Sequence, residues 1–152
     1  MTRPQLRGLT TVAYTSNDHE AAKAWFARLL GVEPYFDNPG YAEFRIGDYQ
    51  HELGLLDGKY AGYLGGEVVP ADGRAGAIVY WHVDDVQGMI DHAVSIGARL
   101  HHPPREFQPG SGFVGASVID PFGNVLGFMY NPHYLEVLGK RGELIETASG
   151  SL

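Results

Sequence analysis

The chain has 152 residues, of which 44% are hydrophobic and 19% charged, with a formal net charge of -7. That balance belongs to one ordinary globular domain with a real core. The negative charge, with the 11 Lys and Arg scattered rather than clustered, argues against a nucleic-acid partner or an anionic membrane surface. There is no cysteine, which removes disulfides, thiolate metal sites and cysteine nucleophiles. No stretch reaches the roughly 18 apolar residues of a membrane span, and "MTRPQLRG" lacks a signal-peptide core. A cytoplasmic location is the expectation.

"GLTTVAYT" (8–15) is β-branched and aromatic between turn formers, so it predicts a strand. A helix should follow, with Asn17 and Glu20 at capping-box spacing. Ala22, Phe26, Leu29 and Leu30 recur at helical spacing, and Gly31 suits the left-handed stop. "YAEFRIG" (41–47) and "HELGLLD" (51–57) then read as strands. "GKYAGYLGGEVVPADGRAG" (58–76), with six glycines and one proline, is a long loop. It lacks the Gly-Lys-Ser/Thr ending of a phosphate cradle.

The same grammar returns downstream. "AIVYWHV" (77–83) is a strand, Asp84 and Gln87 repeat the capping box, and Val86, Ile90, Ala93 and Val94 form an apolar stripe closed by Gly97. The two boxes stand at one offset of 67 positions, the mark of an internal duplication. "RLHHPP" (99–104), "GFVGASVI" (112–119) and "NVLGFMYN" (124–131) complete the second half. "HHPP" is incompatible with a regular central strand. The tail 133–152 reads as a short amphipathic helix and a disordered end.

Two βαβββ halves resemble the vicinal oxygen chelate superfamily, which includes glyoxalase I, extradiol dioxygenases and the bleomycin- and fosfomycin-resistance proteins. The resemblance covers about residues 8–132. It rests on "TSNDHEAAKAWFARLLG", on its repeat "VDDVQGMIDHAVSIGA", and above all on "DPFGNVLGFM". It implies an α+β fold in which modules 8–57 and 77–132 form a curled mixed sheet, with helices on the convex side and a ligand cup on the concave one. Metal-dependent members place ligands on the first and last strand of each half. Counting from Asp18 and Asp85, those places fall on Thr11, Ile78, Gly127 and, within about two residues, Gly54. None of these four is an imidazole, carboxylate or thiolate donor; the two-residue uncertainty could bring Glu52 to the first-half place, but one carboxylate alone would not hold a metal tightly. The resemblance therefore implies a member with no metal and no cofactor.

Strand alternation assigns Thr11, Ala13, Gly54, Ile78, Tyr80, His82, Gly127 and Met129 to the cup, with Phe113, Tyr60 and Tyr63 near its mouth. Each also has a plain reading as core. His82, with Glu52 or Tyr80, is the candidate acid/base set. The alternative for His82 is a histidine at the sheet edge satisfied by Asp84 or water. His19 and His92 are expected to face solvent, and Trp25 and Phe26 to be core or subunit contacts. The leading expectation is a metal-independent homodimer that holds an aromatic or drug-like molecule. The alternative is an enzyme of the same fold, a lyase, isomerase, epimerase or dioxygenase, using His82, Glu52 and Tyr80 or a non-standard metal site.

Overall fold

The structure, a computed structural model, describes residues 11–60 and 78–150, apart from the side chains of 144, 145 and 147–149. Its elements are β1 (Thr11–Ser16), α1 (His19–Leu30), β2 (Phe36–Asn38), β3 (Tyr41–Ile46), β4 (His51–Asp57), β5 (Val79–His82), α2 (Val86–Ser95), β6 (Arg99–Glu106), β7 (Val114–Ile119), β8 (Val125–Tyr130) and α3 (Pro132–Ser149). They build two four-stranded mixed sheets, ordered β1-β4-β3-β2 and β5-β8-β7-β6. Two compact units divide at Gly76/Ala77, and the turn Pro121–Asn124 counts with the first. Phe122 in that turn meets the Trp25 ring edge-on at 6.4 Å, and Asn124 donates to the Thr15 carbonyl at 3.1 Å.

In the first unit β1 runs parallel to β4, with Ala13 opposite Gly54. In the second β5 runs parallel to β8, with Tyr80 opposite Gly127. The duplication read from the sequence is thus repeated in the pairing register. It makes Gly54 and Gly127 equivalent, each opposite the residue two beyond the expected first-strand ligand. Each helix crosses one face of its own sheet. Trp25, Phe26 and Leu29 of α1 are buried with Phe44, Leu53 and Leu55; Ile90 and Ala93 of α2 are buried with Val118, Leu126 and Phe128. Burying each large apolar side chain contributes roughly 1.5–3 kcal/mol. Trp25 and Phe26 are therefore core.

Several details differ from the sequence reading. The helix caps are Asp18, which accepts from the Ala21 amide, and Asp85, which accepts from the Gly88 amide. Both lie one residue beyond the predicted boxes, so Glu20 and Gln87 do not close a reciprocal pair. The 67-residue offset survives the shift. Strand β2 has no alternating pattern and was not legible. The Pro103–Pro104 pair stands on β6, an edge strand with register shifts on both sides of His102, where missing amides cost least. Gly58–Tyr60 form one tight turn, and the rest of the predicted loop, with Tyr63, lies outside the described residues. The tail is one long helix, α3, capped by Asn131 with Pro132 in its first turn.

The Asp85 cap yields a direct test. Asp85→Ala should lower unfolding stability by about 1 kcal/mol, read as a shift of the urea midpoint with unchanged slope. A change below about 0.3 kcal/mol would show that solvent replaces the cap.

Candidate functional site

On the first sheet, the face away from α1 carries Thr11, Ala13 and Thr15 from β1, Glu52, Gly54 and Leu56 from β4, and Tyr41, Glu43 and Arg45 from β3. At its centre stands Gly54. A Cβ built there would lie 2.6 Å from the Tyr41 hydroxyl and 3.0 Å from its ring, so the tyrosine rests across the glycine. A second pair stands beside it, where a Cβ on Gly40 would lie 2.5 Å from the Tyr60 ring. Gly40 has φ +97, a conformation open to glycine and strained for other residues. Between these rings is a cavity of about 730 Å³, lined by Thr11, Ala13, Asn38, Pro39, Gly40, Tyr41, Leu56 and Tyr60.

One flank of the cavity is a polar network. Thr11 donates to Glu52 Oε2 at 2.9 Å, and Tyr41 donates to Glu43 Oε2 at 2.6 Å. Tyr35 donates to Glu43 and reaches Glu52 Oε1 at 3.3 Å. Arg45 lies 3.9 Å from Glu52 Oε1 and covers the Tyr35 ring at 4.5 Å. The hydrogen bond from Tyr35, then that from Tyr41, holds the Glu43 carboxyl below the usual carboxylate range. Burial, then the bond to Glu43, raises the Tyr41 hydroxyl. The network therefore presents an ionised carboxylate and two neutral phenols. Glu52 was among the predicted residues. Tyr35, Tyr41 and Glu43 were not, although alternation across "YAEFRIG" already put Tyr41 and Glu43 on one face.

The second sheet repeats the central feature with other residues. A Cβ on Gly127 would lie 2.4 Å from Tyr80 Cδ1 and 2.7 Å from its Cγ, so the root of the ring lies over the strand. A Cβ on Gly115 would similarly meet the Phe107 ring at 2.3 Å. Phe113 packs on Phe107 with centroids 5.1 Å apart, and Ile78 and Tyr80 are exposed. Met129 takes its place beside His82 in the register.

His82 is tied to the chain that follows β8. Its Nδ1 accepts from the Asn131 amide at 3.1 Å, and its ring stacks on Tyr134 at 4.6 Å with an interplanar angle of 9°. Because Nδ1 accepts, the neutral ring carries its proton on Nε2. That nitrogen comes within 3.5 Å of Asp84 Oδ1 but makes no well-aligned hydrogen bond among the described residues. Glu52 belongs to the first unit and His82 to the second, where Tyr80 shares its face of the sheet. His19 departs from expectation: it is buried at 6% exposure rather than facing solvent. The reason is its position at the first turn of α1, close to Asp57 at the end of β4. His92 is exposed, as expected.

The places that hold metal ligands in similar proteins do not fit an ion in this chain. The Thr11 hydroxyl is engaged with Glu52, Ile78 has no donor atom, and tyrosine rings cover Gly54 and Gly127. Among the described residues no three His, Asp or Glu side chains converge as a metal site.

Residues 8–128 match the model of the Glyoxalase/Bleomycin resistance protein/Dioxygenase superfamily, and the chain belongs to that family. No curated protein matches it significantly in sequence. Among solved structures it is similar to a glyoxalase-related enzyme from Fulvimarina pelagi, with 19% identity, TM-score 0.65, 84% of this chain and 90% of that one covered. It is also similar to the lactoylglutathione lyase of Agrobacterium tumefaciens, with 19% identity, TM-score 0.62 and coverage of 84% and 96%. A third is a glyoxalase/bleomycin resistance protein/dioxygenase family enzyme from Burkholderia phytofirmans PsJN, with 17% identity, TM-score 0.60 and coverage of 80% and 96%. Identities this low speak for the fold.

Two measurements probe these contacts. Gly127→Ala should cost about 1–3 kcal/mol by forcing the Tyr80 ring aside, and much less in a Tyr80→Ala background. A coupling under about 0.5 kcal/mol in that cycle would show the ring is not held by the glycine. Tyr41→Phe should raise the Glu43 titration midpoint, followed by carboxyl NMR. Glu43 has a folded pKa below its unfolded one, so its contribution is present above about pH 4.3 and lost as pH falls through the folded value. An unmoved midpoint would dismiss the Tyr41 bond as a cause.

Proposed function

We propose that the chain binds a small organic molecule, aromatic or drug-like, without a metal, in the cavity on the exposed face of the first sheet. The observation that carries this reading is the cavity: about 730 Å³, mostly apolar, with two tyrosine rings as walls. Ligand pockets span roughly 300–1,000 Å³ and combine apolar walls with a few polar groups. Thr11 and Asn38 supply those groups. Rings seated on Gly54 and Gly40 give flat walls for an aromatic guest, which prefers offset or edge contacts. Family membership supports small-molecule chemistry in general, and the solved structures it resembles include a lactoylglutathione lyase and a glyoxalase/bleomycin resistance protein/dioxygenase family enzyme. On this reading the protein acts in the cytoplasm as a homodimer, with neither nucleic acid nor membrane as partner. The net charge and the scattered basic residues favour the absence of nucleic-acid and membrane partners.

A second reading, an enzyme of the lyase, isomerase or epimerase type, draws on the network at the cavity flank. Glu52 and Glu43 are carboxylates within reach of Tyr35, and Thr11 and Tyr41 join them to the cavity wall. A carboxylate base beside neutral phenol donors can take and return a proton. With its Nδ1 taken by the Asn131 amide, His82 offers a ligand only its Nε2–H.

Native mass spectrometry of freshly purified protein separates the readings from their opposites. An organic adduct is expected in the unaltered protein, with at least tenfold lower occupancy in Ala13→Trp, which fills the cavity. Stoichiometric metal retained after dialysis would overturn the metal-free reading. An adduct equally abundant in Ala13→Trp would move the ligand elsewhere.

A further inference from the structure

Two of the polar residues that line the apolar cavity have already committed their hydroxyl hydrogens. Thr11 gives its hydrogen to Glu52 Oε2 at 2.9 Å, and Tyr41 gives its own to Glu43 Oε2 at 2.6 Å. An ionised carboxylate only accepts, so it has no hydrogen to return. The bonds from Tyr35 and then Tyr41 hold Glu43 in that form. The Arg45 guanidinium stands 3.9 Å from the other oxygen of Glu52. Both hydroxyls are therefore fixed in one direction.

The strand register puts the two on one floor. Thr11 and Ala13 share a face of β1, Thr11 is opposite Glu52, and Ala13 is opposite Gly54. The Tyr41 hydroxyl lies over Gly54, where a Cβ would come within 2.6 Å of it. A hydroxyl whose hydrogen is spent presents lone pairs alone, and donation to an anion strengthens it as an acceptor. A guest acceptor turned to this floor gives up its water and gains nothing, whereas a guest N–H or O–H recovers a hydrogen bond. The other polar members of the lining, Asn38 and Tyr60, carry donors as well as acceptors and do not discriminate.

We propose that the cavity selects aromatic guests carrying a hydrogen-bond donor, an N–H or O–H directed at the Thr11 or Tyr41 oxygen, and that Glu52 and Glu43 impose this selection by holding both hydroxyl hydrogens away from the guest. The proposal rests on the small-molecule reading of that cavity. Thr11 and Tyr41 are its specificity residues. Glu43 and Glu52 are positioning residues, which act through those hydroxyls and need not touch the guest.

The test uses the full chain and three flat bicyclic probes that are neutral at pH 7.5: indole, a donor; benzofuran, close to neither; and quinoline, an acceptor. Each is titrated by ligand-observed NMR. Indole is expected to bind about fivefold or more tighter than benzofuran, the worth of one neutral hydrogen bond, with quinoline weakest. Thr11→Val combined with Tyr41→Phe should bring indole within about twofold of benzofuran. Glu52→Ala frees the Thr11 hydrogen and should strengthen quinoline about threefold while indole stays within twofold, a split between probes that a general loss of structure would not produce. Benzofuran or quinoline binding the unaltered protein as tightly as indole overturns the selection and leaves the cavity standing. No binding of any probe overturns both. An indole preference that survives the double substitution, or a quinoline-to-indole ratio unmoved by Glu52→Ala, also overturns the proposal. The first comparison uses the unaltered chain, so no variant has to fold for the proposal to fail.

Discussion

The packing of a tyrosine ring over a glycine in a central strand organises both halves of this protein. Glycine weakens a strand, because it packs nothing and gains the most freedom on unfolding. A ring laid across it restores cover on that face. Here the pairing does more than repair. Tyr41 on Gly54 and Tyr80 on Gly127 occupy the two last-strand places where metal-dependent relatives are expected to carry ligands. A side chain at either place would have to move a ring whose atoms stand 2.4 to 2.6 Å from the new Cβ.

The two halves reach that arrangement differently, and the difference separates their uses. In the first, the ring comes from β3 and its hydroxyl continues into Glu43, so the aromatic wall is also the edge of a charged network. In the second, the ring comes from β5, the strand partner of the glycine. Its neighbour His82 is turned toward the Asn131 amide and Tyr134. The charged network thus stands on the first sheet, while on the second His82 anchors the start of α3. Duplication preserved the register and let the side chains diverge.

The fold was legible because its signals are local and repeated. Apolar periodicity gave both helices, Gly31 gave a left-handed stop observed at φ 70, and alternation gave the strands around Gly54 and Gly127. Cap positions slipped by one because Asn17–Asp18 and Asp84–Asp85 are adjacent residues with equal capping chemistry, and only backbone geometry decides between them. The site was half legible. Strand parity puts Thr11, Ala13 and Gly54 on one face, and they are there. Parity says nothing about which neighbour a side chain leans on. The convergence of Tyr35 and Tyr41 on Glu43 needs a three-strand register that the short β2 conceals.

His19 shows the same boundary from the other side. On a helical wheel, the first residue of an amphipathic helix beside two acidic neighbours is a solvent position. What buries it is non-local: the end of β4 and the turn at Lys59 come back to the start of α1. A polar residue at such a junction escapes pattern reading because the junction, not the helix, supplies its environment. The same return of β4 also brings the apolar cavity and a smaller polar cavity beside the start of α1 to one shared wall at Gly40 and Tyr60. Neither substituent-free glycine nor exposed tyrosine would attract notice alone. Together they make the partition thin, since any side chain at Gly40 would collide with the ring.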